Sequence, residues 1–394
     1  MACKRKTMAA VAVGGCLFGL AAWIFYFRIF AGEHGEDWMV YYSAARSYFD
    51  GRLGLLYDGT SLTAVLNARF ASWLAHPLPL HPWLYPPHYL LLLLPFGILP
   101  PGISVAAFLL ATFALMAAAL ACVTDKAGER LLYILSALLS PAAAIVVWLG
   151  QNTFLTVTLL VGGFALTKRR PLLAGVLLGI LTYKPQFWLM VPVALIGARR
   201  WKTLAAALVS AGLLALGSLA VFGPGPWEDW LRLMTSQSAL FDHWQALARL
   251  NGQSLYTCAV LLGASPPLAN AVQLAGAALA ALSVWHCFRR PFPDDLRIAV
   301  LLAATVFAAP HIIDYDAMLL CVAATIFFAY NLRHGARPGD TAIAAALWLS
   351  PLINPPSVFL LGMTTPLLIV LFVLRIAERA APPRPLQSPA YGVA

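Results

Sequence analysis

Long apolar runs separated by short, mostly basic interruptions set the pattern of this chain. Such runs near Met8–Phe30, Pro86–Val123, Leu131–Leu149, Thr153–Thr167, Pro171–Tyr183, Phe187–Ala198, Thr203–Phe222, Leu268–Phe288, Ile298–Ala309, Ala317–Tyr330, Thr341–Ile353 and Val358–Leu374 predict about twelve membrane crossings, within a range of about 10–13. Pro86–Val123 is too long for one straight helix, and Pro100-Pro101-Gly102 is expected to break it. Pro171–Tyr183 and Phe187–Ala198 are short for full crossings and meet at Lys184-Pro185, so that turn is expected below the membrane surface in a protein-lined cavity. Two stretches between the first and second runs have helical periodicity instead. In Asp37–Phe49 the residues Trp38, Tyr41, Tyr42, Ala45, Tyr48 and Phe49 recur at spacings of three and four, and Ser61–Leu74 aligns Leu62, Val65, Leu66, Phe70 and Leu74, with Thr60 or Ser61 as cap. Both are expected as amphipathic helices lying on the membrane interface. The fold class is therefore an all-α polytopic integral membrane protein. A single transmembrane domain covers 1–380, with outer segments at 31–85 and 223–256, and a Pro-rich cytoplasmic tail covers 381–394.

Composition agrees with lipid as the main solvent. Of 394 residues 61% are hydrophobic and 11% charged, against about 25% charged in soluble domains. The net charge of +10 would suit nucleic acid if it formed one stripe, but the basic residues cluster between apolar runs, so it is a topology signal and no nucleic-acid partner is expected. With the N-terminus inside, 19 of the 26 Lys and Arg fall on the cytoplasmic side and ten of the 16 acids on the outer side, with both termini cytoplasmic. The start, MACKRKT before an apolar run, has the charge order of a signal peptide but the length of a spanning helix, and reads as uncleaved. Six cysteines without a CxxC pair argue against a disulfide framework or zinc site.

The polar residues that interrupt this pattern are the candidates for chemistry, and they gather on the outer side. Lys184 sits in an otherwise apolar hairpin, either snorkelling to the interface or aimed at a cavity as an anion-binding cation. His311, Asp314 and Asp316 lie between two apolar runs, as a structural hydrogen-bond cluster or as the wall of a substrate pocket. Gln151 and Asn152 follow Gly150, where amides either satisfy helix ends or bind substrate. Trp83 to His88 reads as an interfacial aromatic anchor, and Leu250 to Ser254 is a weak signal. Asp37 stands just after the first crossing, favourable for the helix N-terminus and also where a general base for a lipid-linked reaction would have to sit.

Asp37-Trp38-Met39-Val40-Tyr41-Tyr42-Ser43-Ala44-Ala45, Leu56-Tyr57-Asp58, Tyr85-Pro86-Pro87, Leu99-Pro100, Gly150-Gln151-Asn152, Ala174-Gly175 with Gly179 and Lys184-Pro185, Arg199-Arg200-Trp201-Lys202 and the variant Pro310-His311 to Asp316 occur in this order. In that order and spacing the chain resembles the polyprenol-phosphate-dependent membrane glycosyltransferases of the C-type fold, and specifically glycosyltransferase family 87, a mannosyltransferase-like group of bacterial membrane proteins. The resemblance implies inverting transfer of a hexose, mannose in the family, from a polyprenyl-phosphate sugar donor to a lipid or glycan acceptor on the outer face of the bacterial inner membrane. Asp37 would be the general base. Lys184 and His311 are the candidates for the donor phosphate, and Asp58, Tyr41, Tyr85, Gln151, Asn152, Gln186 and Asp314 for substrate contacts. No metal cluster or other cofactor is evident, and a divalent ion between Asp37 and Asp58 stays open. The competing classes are a lipid-linked sugar transporter or flippase, which broken helices also suit, and a polymerase or ligase of lipid-linked glycans. No internal repeat relates the two halves, which counts against the transporter.

Overall fold

The computed structural model describes residues 35–235, 252–352 and 364–380, with pieces of the first apolar run at 14–15, 17–21 and 23–24. The rest of the expected Met8–Phe30 crossing, residues 236–251 of the second outer segment, the opening of the expected Val358–Leu374 crossing and the 381–394 tail lie outside the described residues.

Among the described residues every regular element is helical. In chain order they are α1 (Glu36–Phe49), α2 (Gly59–Arg69), α3 (Pro87–Gly97), α4 (Pro101–Ala121), α5 (Ala127–Leu138), α6 (Pro141–Leu149) and α7 (Thr153–Leu166). There follow α8 (Pro171–Tyr183), α9 (Pro185–Gly197), α10 (Trp201–Phe222), α11 (Gly225–Thr235), α12 (Leu255–Leu261), α13 (Pro266–Arg289), α14 (Asp294–Ala308), α15 (Met318–His334), α16 (Asp340–Trp348) and α17 (Thr364–Ala380).

Four helical stretches among the described residues are long and apolar enough to cross a bilayer: α4, α10, α13 and Asp314–His334, which contains α15. The bent pair α5 and α6 makes a fifth if taken as one span. Several other expected crossings are shorter apolar helices of 10–17 residues, α3, α7, α8 and α9 among them. The breaks have local causes. Pro100 and Pro101 end one helix and start α4 at its N1 position, as the sequence predicts. Ser140 accepts the Ala143 N–H at 3.1 Å and Pro141 follows at N1, so α6 restarts at 55° to α5. A π-helical turn over Thr158–Gly162 interrupts α7. Pro185 at N1 of α9 forces the residue before it out of the helical region, and Lys184 takes φ −116 and ψ 80.

Helices with few buried positions, α4, α10 and α13, present leucines and valines outward, Leu208, Val209, Leu213 and Leu216 on α10 among them. The interior is built by α14 and α15, whose residues from Ile298 to Val306 and from Met318 to Phe327 are all buried. At about 1.5 Å per residue, α15 separates Asp316 at its head from Arg333 near its end by about 26 Å, so the two lie on opposite faces of the helical bundle. One face carries Gly150, Lys184 and Asp316. The other carries Lys168, Arg297 and Arg333 in a ring of ion pairs with Asp294, Asp295 and Glu129.

The two helices of the first outer segment differ from expectation in two respects. α2 buries Leu62, Leu66 and the following Phe70 on one side as predicted, but its cap is Asp58 and not Thr60 or Ser61. α1 is buried almost all round, from Trp38 to Ala45, against α2, α3, α4 and α6. Its polar positions therefore face protein, and it is a core element instead of a helix lying on lipid.

Between apolar helices in lipid, close backbone approach replaces the hydrophobic effect. Gly175 and Gly179 of α8 face α10 in this way: a Cβ on Gly175 would stand 2.4 Å from Ala206 Cβ and 2.6 Å from the Thr203 carbonyl oxygen. Gly175→Ala is expected to push α8 from α10 and lower stability by about 1–3 kcal/mol, read as a lower melting temperature of the detergent-solubilised protein, while Gly128→Ala, which meets no atom within 4 Å, leaves it unchanged.

Candidate functional site

Two glycines bring the first turn of α1 onto the end of α6. Gly35, with φ +80, donates its N–H to the Trp148 carbonyl at 2.8 Å. Gly150, with φ +70, closes α6, and a side chain there would strike Trp38 at 2.4 Å. Both positions need the left-handed region that glycine tolerates. The result sets Asp37 beside Gln151.

Gln151 Nε2 donates to Asp37 Oδ2 at 2.9 Å. The Gln151 Oε1 accepts from the Tyr41 hydroxyl at 2.7 Å and from the Asn152 backbone N–H at 3.0 Å. Asn152 Nδ2 donates to the Tyr41 hydroxyl at 3.1 Å, and Tyr41 and Tyr85 share a hydrogen bond at 2.9 Å. The network fixes the amide of Gln151 with its NH₂ toward Asp37, since its oxygen is occupied by two donors. Burial raises the Tyr41 and Tyr85 phenols above their ordinary value, so both stay protonated and available as donors. Burial likewise lifts the Asp37 carboxyl above the usual carboxylate range, opposed by His81, the Gln151 hydrogen bond and Lys184, in that order, and reinforced by Asp316. Asp37 itself is only partly buried, so its carboxylate is reachable.

Lys184 does not snorkel. It is 3% exposed, and its Nζ lies 3.0 Å from Asp316 Oδ1, over the rings of Phe187 and Tyr315 at 5.2 and 5.4 Å. Pro185 explains the extended backbone that turns Lys184 inward, and the second Asp316 oxygen accepts the Ile313 N–H at 3.4 Å. A wall of aromatic rings joins the two charged centres: Tyr85 lies 5.5 Å from Tyr41 and 6.1 Å from Tyr183, and Tyr183 stacks on Tyr89 at 4.5 Å.

Asp37, Tyr41, Tyr85, Gln151 and Asn152 thus form one bonded group, with Lys184 close enough to act on Asp37 electrostatically. Asp314 accepts from Gln253 Nε2 at 2.7 Å, and the Gln253 N–H reaches the Ile312 carbonyl at 3.1 Å, so the second outer segment is clamped onto this motif. His311 and Gln186 are partly buried beside the same elements, in the 310–316 motif and the first turn of α9. Asp58 is a different case. It is exposed, and its two oxygens take the Ser61 N–H and hydroxyl at 3.1 and 2.6 Å. It caps α2 and is not bonded into the group, so the structure does not join it to Asp37 as a shared ligand pair. Among the described residues no cluster of three or more His, Cys, Asp or Glu is arranged for a metal.

Sequence reasoning named Asp316 among the polar candidates but gave the substrate contact to Asp314 alone, although a lysine at membrane depth calls for a counter-ion. Two residues apart before one helix, the two acids differ only in which way the short 3₁₀ turn over Asp314–Ala317 points them. Gln253 was the other omission, its signal too weak in a loop without periodicity.

A buried ion left without its partner destabilises by about 3–5 kcal/mol, whereas replacing both ions is often neutral. Asp316→Asn is therefore expected to lower the melting temperature more than the double change Lys184→Met with Asp316→Leu, measured by thermal unfolding in micelles.

No curated protein and no solved structure matches the chain. A model of glycosyltransferase family 87 matches residues 83–310, which include Tyr85, Gln151, Asn152, Lys184 and Gln186, with Asp37 and His311 outside the matched range. The match covers more than half of the 394 residues, and the chain belongs to glycosyltransferase family 87.

Proposed function

We propose that this glycosyltransferase transfers a hexose, mannose by family resemblance, from a polyprenyl-phosphate donor to a hydroxyl of a lipid or glycan acceptor, with inversion, on the outer face of a bacterial inner membrane. The observation that carries the reading is the partly buried Asp37 carboxylate, oriented by Gln151 within reach of the Lys184 charge.

Asp37 acts as general base. The acceptor oxygen bonds to the anomeric carbon as its proton passes to Asp37, and the bond from that carbon to the phosphate oxygen breaks, the electron pair leaving with the lipid phosphate. Lys184 and His311 stabilise the charge that grows on that phosphate. Lys184 would share its charge between the donor phosphate and Asp316, which already holds it at 3.0 Å. Tyr41, Tyr85, Gln151 and Asn152 position sugar hydroxyls or Asp37 itself. Gln186 and Asp314 are assigned to the rim of the same pocket, and Asp58 is left to its capping role. The basic face, opposite the site, is the cytoplasmic one under the positive-inside rule.

Asp37→Asn is expected to lower transfer by about 10²–10⁴-fold with melting temperature unchanged, assayed with a polyprenyl-phosphate mannose donor and membrane extract. Transfer that survives the substitution removes the base assignment, and sugar crossing vesicles without a covalent product would make the protein a transporter. The pH profile supplies a second check. The base works ionised, so kcat/KM falls as pH falls through the raised Asp37 value, and the acid limb is expected above the ordinary aspartate value of about 3.9. Gln151→Leu removes a hydrogen bond that favours the carboxylate and is expected to move that limb to still higher pH.

A further inference from the structure

A cavity lies on the face opposite the candidate site. Its volume is 190 Å³, and its lining joins the end of α4, the end of α7, the turn into α10, the end of α13 and the start of α14. Three of the four spanning stretches, α4, α10 and α13, begin or end here, which sets the cavity at the depth where lipid headgroups meet water.

Its chemistry is divided. The floor is apolar, with Phe164 and Phe288 edge to face at 5.4 Å. The rim carries four cations, Lys168, Arg169, Arg200 and Arg297, against the carboxylates Asp294 and Asp295. Most of these charges are engaged: Lys168 and Arg297 share Asp294, Arg169 binds Asp125 at 2.8 Å, and Asp295 is held by Arg333 from outside the cavity. Arg200 is the exception. It is partly buried, and its guanidinium has no hydrogen bond or ion pair among the described residues. The turn that presents it is strained, since Arg199 takes φ +55 without being glycine. Trp201, next in sequence and 57% exposed, stands where an interfacial aromatic anchors to headgroups.

An excess of guanidinium over carboxylate around a small concave site, with an apolar floor and an opening at headgroup depth, matches a phosphate ester carried on a hydrocarbon chain. We infer that this cavity binds the phosphodiester headgroup of an anionic membrane lipid, with Arg200 as the free donor and Lys168, Arg169 and Arg297 completing the rim. The site is separate from Asp37 and Lys184 and does not depend on the sugar-transfer reading.

The test uses full-length protein in neutral detergent, titrated with dihexanoyl-phosphatidylglycerol, dihexanoyl-phosphatidylcholine or inorganic phosphate and read by native mass spectrometry. Phosphatidylglycerol is expected to bind at least about fivefold more tightly than phosphatidylcholine, and Arg200→Gln to remove about that factor. Arg232→Gln, an exposed arginine on α11, is expected to change nothing. If inorganic phosphate binds and displaces the lipid at similar concentrations, the site takes phosphate in free form. If phosphate is ineffective, the lipid headgroup is the ligand. Equal binding of the two lipids, an unaffected Arg200→Gln protein, or an equal loss in Arg232→Gln would overturn the assignment. Should Arg200→Gln not fold, Lys168→Gln at the exposed rim carries the same comparison.

Discussion

An ammonium group at membrane depth must be paired, hydrated or absent, and Lys184 is paired. Its bond to Asp316 ties the break between α8 and α9 to the head of α15, the most buried of the spanning stretches. Desolvating two charges costs several kcal/mol each before their attraction returns it, so the pair is poor evidence of added stability. Its consequence is geometric. One bond fixes where three helices end, and it holds a positive charge close enough to bear on the carboxylate at the start of α1.

The second centre, around Asp37, is held differently. Here the cost of burial falls on a carboxylate whose neighbours only partly offset it, so the group is lifted above the usual carboxylate range. Its position is a product of backbone more than of side chains. Gly35 and Gly150 let α1 and α6 approach closely, and Gln151 then reaches Asp37 because its other end is already occupied by Tyr41 and Asn152. A rigid amide network is what a proton acceptor needs, since the energy of a base is realised only in the right orientation.

The two faces of the bundle divide the labour that composition only hints at. Around Asp37 and Lys184 the charges are few, mostly buried and tied into hydrogen-bond networks. On the opposite face acids and bases alternate in a ring whose exposed pairs, such as Lys168 with Asp294, individually add little stability, while the buried Asp340 clamps helix ends by holding Arg375 and Arg379.

What the sequence determined by itself was everything governed by local pattern. Apolar runs marked the helices, Pro101 and Pro185 marked breaks between them, and the scarcity of polar residues made Asp37, Gln151, Asn152 and Lys184 stand out, whereas the bend at Pro141 inside the expected Leu131–Leu149 crossing came only with the structure. The α1 boundaries followed, to within one residue, from the aromatic repeat that ends at Phe49, because periodicity acts within a few residues. Tertiary structure decided the rest, for reasons that lie beyond that range. Whether α1 rests on lipid or inside protein depends on α3, α4 and α6, which are up to about a hundred residues away in the chain. Asp58 reads like a site acid until Ser61 is seen to occupy both its oxygens, and Asp316 reads like its neighbour Asp314 until Lys184, 132 residues distant, selects it. A charge reveals in sequence that it needs a partner, but only packing in three dimensions chooses which one.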